Sequence, residues 1–197
     1  MTEDLKRPQR KKKVPRKATP KSLENAALYY LQRFSSSSEN LRRVLMRRVQ
    51  RSAYHHDTDP EEGAEVIAQL IKRYNEVGLL DDAQFAKVRA EGLNRRGSSA
   101  RAIRAKLAEK GVAADLISAT LEKLKEEDQN PELTAAVTFA RKRRIGPYRS
   151  ADDRSELREK DLAALARAGF NYDMAQKVID ADTAAELEDE IEQNTYG

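Results

Sequence analysis

The sequence predicts an all-α fold, an elongated and curved array of three tandem three-helix repeats. Three observations carry this reading. From Ser22 onward apolar residues recur at spacings of three and four, and no stretch alternates apolar with polar as a half-buried strand would. The pattern also repeats. A shift of 62 residues carries Ser37, Leu41 and Leu45 onto Ser99, Ile103 and Leu107. A shift of 58 carries Leu107, Gly111, Val112, Asp115 and Leu121 onto Leu165, Gly169, Phe170, Asp173 and Ile179, although Ile103 then falls on Asp161. Finally, 39% of the 197 residues are apolar, 36% are charged and none is Trp, a balance that suits thin helical layers leaning on their neighbours.

The first repeat is expected over 22–78. Leu28 and Leu31 mark a helix ending near Phe34, and Ser36 with Glu39 reads as a capping box opening the next. That helix carries Leu41, Val44, Leu45 and Val49 on one face and gives way to a loop from Ala53 to Asp59. Asp59-Pro60-Glu61-Glu62 starts a third helix, whose arc of Val66, Ile67, Leu70, Ile71, Tyr74 and Val77 is stopped by Gly78.

The second repeat, 79–128, opens on the most informative stretch of the chain. Gly78 closes one helix, Asp81 caps the next with Gln84 three residues on, and Leu80 and Phe85 are spaced as a hydrophobic staple. Gly97-Ser98-Ser99 starts a helix bearing Ile103 and Leu107, stopped by Gly111. Val112 leads into another with Leu116, Ile117, Leu121 and Leu124. The third repeat, 129–181, runs from Asn130-Pro131 to about Arg144, breaks at Gly146-Pro147, and resumes over Leu157 to Ala168 and after Gly169.

Two tails flank the repeats. Residues 1–21, with nine Lys/Arg against two Asp/Glu, read as a disordered basic arm; 182–197 belong to a frayed acidic tail. Together they account for much of the charge asymmetry, and the body between them is nearly balanced, so any claim on nucleic acid rests on local clusters. No apolar run approaches a membrane span and no signal-peptide core follows the basic N-terminus, so a cytoplasmic protein is expected.

Catalytic, cofactor and metal sites are not expected. Cysteine is absent, which removes thiolate and zinc-finger chemistry. His55-His56-Asp57 with Asp59 offers ligand types, but adjacent histidines point apart and Asp59 is better placed as a cap. Asp81 and Asp82 lack a third group to complete acid–base chemistry. Tyr29, Tyr30, Phe34 and Tyr74 could stack on bases, yet their spacing among leucines fits core packing.

Three basic clusters are the binding candidates: Arg42, Arg43 and Arg47, with Arg48 and Arg51 beside them; Arg95, Arg96, Arg101, Arg104 and Lys106; and Arg141, Lys142, Arg143 and Arg144. Arg48 falls inside the apolar arc and needs to snorkel or find an acidic partner. The clusters recur at similar places in successive repeats, which could align them on one concave side; ordinary solvated helix faces would look the same.

The signature Gly78, Leu80, Asp81, Asp82, Phe85 and Ala86, followed by Gly97, Ile103, Leu107 and Gly111-Val112, resembles the central repeat of the RecX family. Ala27-Leu28, Leu31, Leu41-Arg42 and Leu45 resemble that family's opening helices. The resemblance spans about Ser22 to Ala181, and departs at Ser99, where many relatives have glycine, and at Leu93, where they often have a basic residue. It implies a regulator of homologous recombination and DNA repair that binds the RecA–single-stranded DNA filament. Filament growth, ATPase and strand exchange are what it would inhibit. The implied partners are the RecA filament and, weakly, single-stranded or duplex DNA; without a heptad seam, a monomer is expected. From the residues alone, a helix-turn-helix-like DNA-binding transcription regulator is the alternative.

Overall fold

The computed structural model describes residues 14–196 and contains, among them, ten α-helices, one 3-10 turn and no strand. The expected arm at 1–21 lies largely outside the described residues, but its last part is ordered. Residues 14–19 run along the first unit, and α1 (Pro20–Leu31) begins with Thr19 as its cap and Pro20 in its first turn. Thr19 and Ser22 bond reciprocally, the same cap-plus-proline logic that opens α3.

The first unit packs α1, α2 (Ser38–His56) and α3 (Pro60–Glu76) around Leu23, Ala27, Leu41, Leu45, Val49, Ile67, Leu70 and Tyr74. The first unit departs from the expected elements at several points. α1 stops before Phe34, and its core face is Leu23 and Ala27, with Leu28 on the rim. Ser37, not Ser36, caps α2, its hydroxyl accepting from Asn40 N at 3.1 Å, while Glu39 serves two arginines and not a capping box. The helix runs through the expected loop as far as His56, ending on the left-handed Asp57. Arg48 lies at the exposed edge of the apolar arc. Tyr74 is buried and Tyr30 half-buried, but Tyr29 and Phe34 are exposed and do not belong to the core.

The second unit consists of α4 (Asp82–Asn94), α5 (Ala100–Glu109) and α6 (Ala114–Glu127), packed through Phe85, Ala86, Ala90, Leu93, Ile103, Leu107, Val112, Ile117 and Leu121. Asp81 caps α4 by accepting from Gln84 N at 2.9 Å. Leu80 and Phe85 are both buried, but in different cores: Leu80 completes the first and Phe85 opens the second. The junction is therefore a pair of anchors on either side of Asp81, in place of a staple closing on itself.

The third unit holds α7 (Pro131–Arg143), α8 (Ala151–Ala168) and α9 (Tyr172–Asp180), and a fourth helix the sequence did not suggest, α10 (Ala184–Tyr196). α10 comprises most of the expected frayed tail. It buries Leu187 and packs Ile191 against the third core, which includes Leu133, Val137, Leu165 and Val178. Asp161, at the position of Ile103 in the second unit, is buried yet paired. Its carboxylate accepts from Gly146 N at 3.0 Å and from both Nε and Nη2 of Arg149, at 3.2 and 2.9 Å. Where the repeat loses an apolar residue, it gains a tie to the 3-10 turn Gly146–Tyr148.

The units join by a repeated device. Ser37 caps α2 and donates its hydroxyl to the carbonyl of Lys110 at the end of α5. Ser99 caps α5 and donates to the carbonyl of Ala168 at the end of α8, at 2.8 Å. Each middle helix thus sets its positive end against the negative end of the next one. Gly111 and Gly169 follow those carbonyls, and a Cβ on Gly111 would strike the Glu39 side chain. Each unit closes on its own apolar cluster, and the three clusters have no buried residue in common. The molecule is an open row of small cores, not one ball.

Candidate functional site

The candidate surface is built on the two joints. At the first, Arg42 and Arg43 grip Glu39, with N–O distances of 2.6 and 2.8 Å. The Arg42 hydrogen bond, opposed by partial burial and reinforced by Arg43, holds the Glu39 carboxyl down at about 2. Arg43 also crosses the joint to donate to the Glu109 carbonyl at 2.9 Å. Arg47, one turn on, is exposed and contributes its carbonyl to Arg51 Nε at 3.1 Å.

At the second joint two of the expected clusters meet. Lys142 Nζ donates to the carbonyl of Arg96 at 3.1 Å, which sets the C-terminal end of α7 beside the end of α4. The close approach depends on Gly97. It has φ +84°, and an added Cβ would lie 2.9 Å from Phe139 N and 3.1 Å from the Ala135 carbonyl on α7. Lys106 Nζ reaches Ser98 Oγ at 3.3 Å, bringing the outer side of α5 to the same place. Arg96, Lys106 and Lys142 therefore meet at the end of α4, with Arg95, Arg141, Arg143 and Arg144 beside them along the chain, and all seven are exposed.

The acidic load there is small. Arg95 sits 3.9 Å from Glu91 and Arg141 3.7 Å from Glu188 of α10, both loose pairs. Arg143 lies over the Phe139 ring at 5.6 Å, and Arg144 ends α7 in the left-handed conformation with φ 53°. Arg101 donates to the Ala166 carbonyl at 3.0 Å, so it belongs to the joint, and Arg104 donates to Ser118 Oγ at 3.1 Å. Arg101 and the Arg43 contact mark opposite ends of α5, about 15 Å apart at 1.5 Å per residue.

Other expected sites resolve into local roles. Asp59 caps α3, His56 Nε2 bonds the Pro15 carbonyl at 2.6 Å, and His55 meets the Tyr54 ring edge-on. Asp82 accepts from Ser38 N at 2.7 Å, a further tie across the first joint. No group of three His, Cys, Asp or Glu among the described residues is arranged around a common point, and no described helix is long and apolar enough to cross a membrane. A groove beside the first joint is lined by Leu28, Phe34, Leu79, Phe85 and Val88. Sequence reasoning missed this groove because Leu28 and Phe34 carry a core-like spacing.

Comparison with known proteins decides the lineage. A family profile described as "RecX, second three-helix domain" matches residues 81–121, the span of α4 through most of α6. Over 180 residues the chain is 41% identical to the regulatory protein RecX of Myxococcus xanthus, covering 91% of this chain and 95% of that one.

The chain belongs to the RecX family.

A second RecX regulatory protein, from Agrobacterium fabrum, is 33% identical over 165 residues, covering 84% of this chain and 85% of the relative. The crystal structure of RecX from Lactobacillus salivarius superposes with a TM-score of 0.56 at 19% identity, covering 86% of this chain and 96% of that one, a likeness of fold. Within this RecX-family frame, the two departures noted in the signature have structural explanations. Leu93 is a buried member of the second core, and Ser99 forms the second joint.

Proposed function

We propose that this RecX-family chain binds the RecA–single-stranded DNA filament and restrains its growth, ATP turnover and strand exchange. The observation that carries this reading is the convergence of the second and third basic clusters at one joint, tied through Lys142 and the Arg96 carbonyl. Exposed guanidinium and ammonium groups with few carboxylate partners favour a polyanion or an acidic protein surface. The apolar groove beside the first joint adds the kind of surface a protein partner uses.

The transcription-regulator alternative fits the geometry less well. A reading helix needs its N-terminal end free to enter the major groove. Here the N-terminal caps of α2 and α5, Ser37 and Ser99, are both buried against the next unit. Titrating the full chain into RecA on single-stranded DNA while following ATP hydrolysis tests the proposal. Slowing at substoichiometric protein is expected; unaltered hydrolysis together with sequence-selective duplex binding would overturn it.

A further inference from the structure

A third basic site lies in the first unit, away from both joints. Residues 15–18 form a strap pinned to α2 and α1 by side chains. Ala18 N donates to Ser52 Oγ at 2.9 Å, His56 Nε2 bonds the Pro15 carbonyl at 2.6 Å, and Ser22 Oγ donates to the Lys17 carbonyl at 2.9 Å. Ser52 is itself fully buried on α2 and also receives the Thr58 hydroxyl at 2.9 Å. The strap is therefore anchored, and its anchors flank Arg16.

This anchoring places like charges together. Arg16 shares one hollow with Pro15, Arg48 and Arg51, and a neighbouring hollow with Arg48, Asn25 and Tyr29. No carboxylate lines either hollow, and none of the ion pairs among the described residues involves Arg16, Arg48 or Arg51. Guanidinium groups gathered without a counter-ion cost free energy in the unbound protein, and an anion that bridges them relieves it. Tyr29, 57% exposed, lines the second hollow beside the charges, and Arg33 lies 5.3 Å from its ring centre.

We infer that Arg16, Arg48 and Arg51 form a phosphate-binding site for single-stranded nucleic acid, with a base stacking on Tyr29. Clustered guanidinium groups suit a phosphodiester, and an exposed aromatic ring beside them suits an unpaired base. An acidic peptide would use the charges but leave the ring idle. The inference deepens the filament-binding reading, and rests on it for the identity of the strand. It adds a foothold on the first unit that the two joints do not provide.

The test uses the full chain without RecA and a fluorescent 20-nucleotide oligo(dT), with binding followed by anisotropy between 50 and 200 mM NaCl. Each phosphate released from neutralisation on a single strand flattens the log–log salt dependence by about 0.7. Arg48→Ala with Arg51→Ala is expected to flatten it by about 1.4, so the affinity lost across that salt range shrinks about sevenfold. Arg16→Ala, which touches only the strap, is expected to flatten it by about 0.7. Tyr29→Ala is expected to weaken binding about fivefold or more at unchanged slope, with Tyr29→Phe close to the parent. Circular dichroism confirms that each variant remains helical.

An unchanged slope in both arginine variants, no binding by the parent chain, or displacement of oligo(dT) by a polyglutamate peptide at equal charge would overturn the site. RecA ATPase measured on the same variants separates the two readings. A failed site with inhibition intact leaves filament binding standing, and loss of inhibition by the parent chain removes the larger proposal.

Discussion

Ser99 and Ala168 are joined across the second joint: the hydroxyl that caps α5 also donates to the last carbonyl region of α8, at 2.8 Å, with Ser99 fully buried. One oxygen thus accepts from Ala102 N and donates to the neighbouring unit. Ser99→Ala removes a helix cap and leaves a half-buried carbonyl without that donor. A loss of about 1–3 kcal/mol is expected in urea unfolding of the full chain. A loss of only a few tenths would mean that the joint contributes nothing beyond contact.

Gly97 and Gly92 predict opposite outcomes from the same substitution. Gly97→Ala forces a left-handed alanine against the α7 backbone, and about 2–4 kcal/mol of destabilisation is expected. Gly92 sits inside α4, where a Cβ meets only the flexible end of Arg96 at 3.3 Å. Gly92→Ala is expected to stabilise by about 0.5 kcal/mol. Thermal unfolding of the two variants side by side checks the pair.

These contrasts show what the sequence could and could not reveal. Asp81, Asp59 and the apolar faces at Ile103 and Leu107 were legible because capping and periodicity are local. The choice of Ser37 over Ser36 was not, since any of four consecutive serines can cap a helix and the selecting partner, Lys110, lies 73 residues away. Beyond Val49 the far end of α2 offers only Ala53 and the exposed Tyr54, so its helix was invisible to periodicity. α10 hides Leu187 and Ile191 among five acidic residues, although their spacing of four was there to be found. The same holds for α1, whose Thr19-Pro20 start repeats the pattern recognised at Asp59-Pro60. Of the candidate surface, the basic residues were legible singly; their meeting at one joint depends on Gly97 and a backbone approach no pattern encodes.

Leu187 tests whether the acidic terminus is a docked helix. Its side chain is 2% exposed in the third core. Leu187→Ala is expected to cost about 2–4 kcal/mol and to raise amide exchange across α10. A frayed tail would show neither change.

Asp161, which replaces an apolar repeat position, pairs with Arg149, and its carboxylate is almost wholly enclosed. Asp161→Ala leaves the guanidinium and Gly146 N without their acceptor, and about 3 kcal/mol of destabilisation is expected. Adding Arg149→Ala is expected to cost less than the sum of the two single changes, measured as a double-mutant cycle.

Glu39 gives the first joint a dependence on acid. Its folded-state value, about 2, lies below the ordinary 4.5, so the stability it contributes is complete above about 4.5 and is lost as pH falls towards 2. Arg42 and Arg43 are about half exposed, which limits the contribution to about 1 kcal/mol. Urea unfolding of the parent and of Glu39→Gln should differ by that amount at pH 6 and converge by pH 2.

Under the proposed function, the basic joint between the second and third units engages the recombinase filament. Steady-state ATP hydrolysis by RecA on single-stranded DNA, measured with the parent chain and with Arg95→Glu, Arg96→Glu and Arg143→Glu combined, tests it most directly. Inhibition by the parent and at least a tenfold higher concentration for half-inhibition by the charge-reversed chain, with helicity unchanged, is the predicted result. Equal inhibition by both proteins would contradict it.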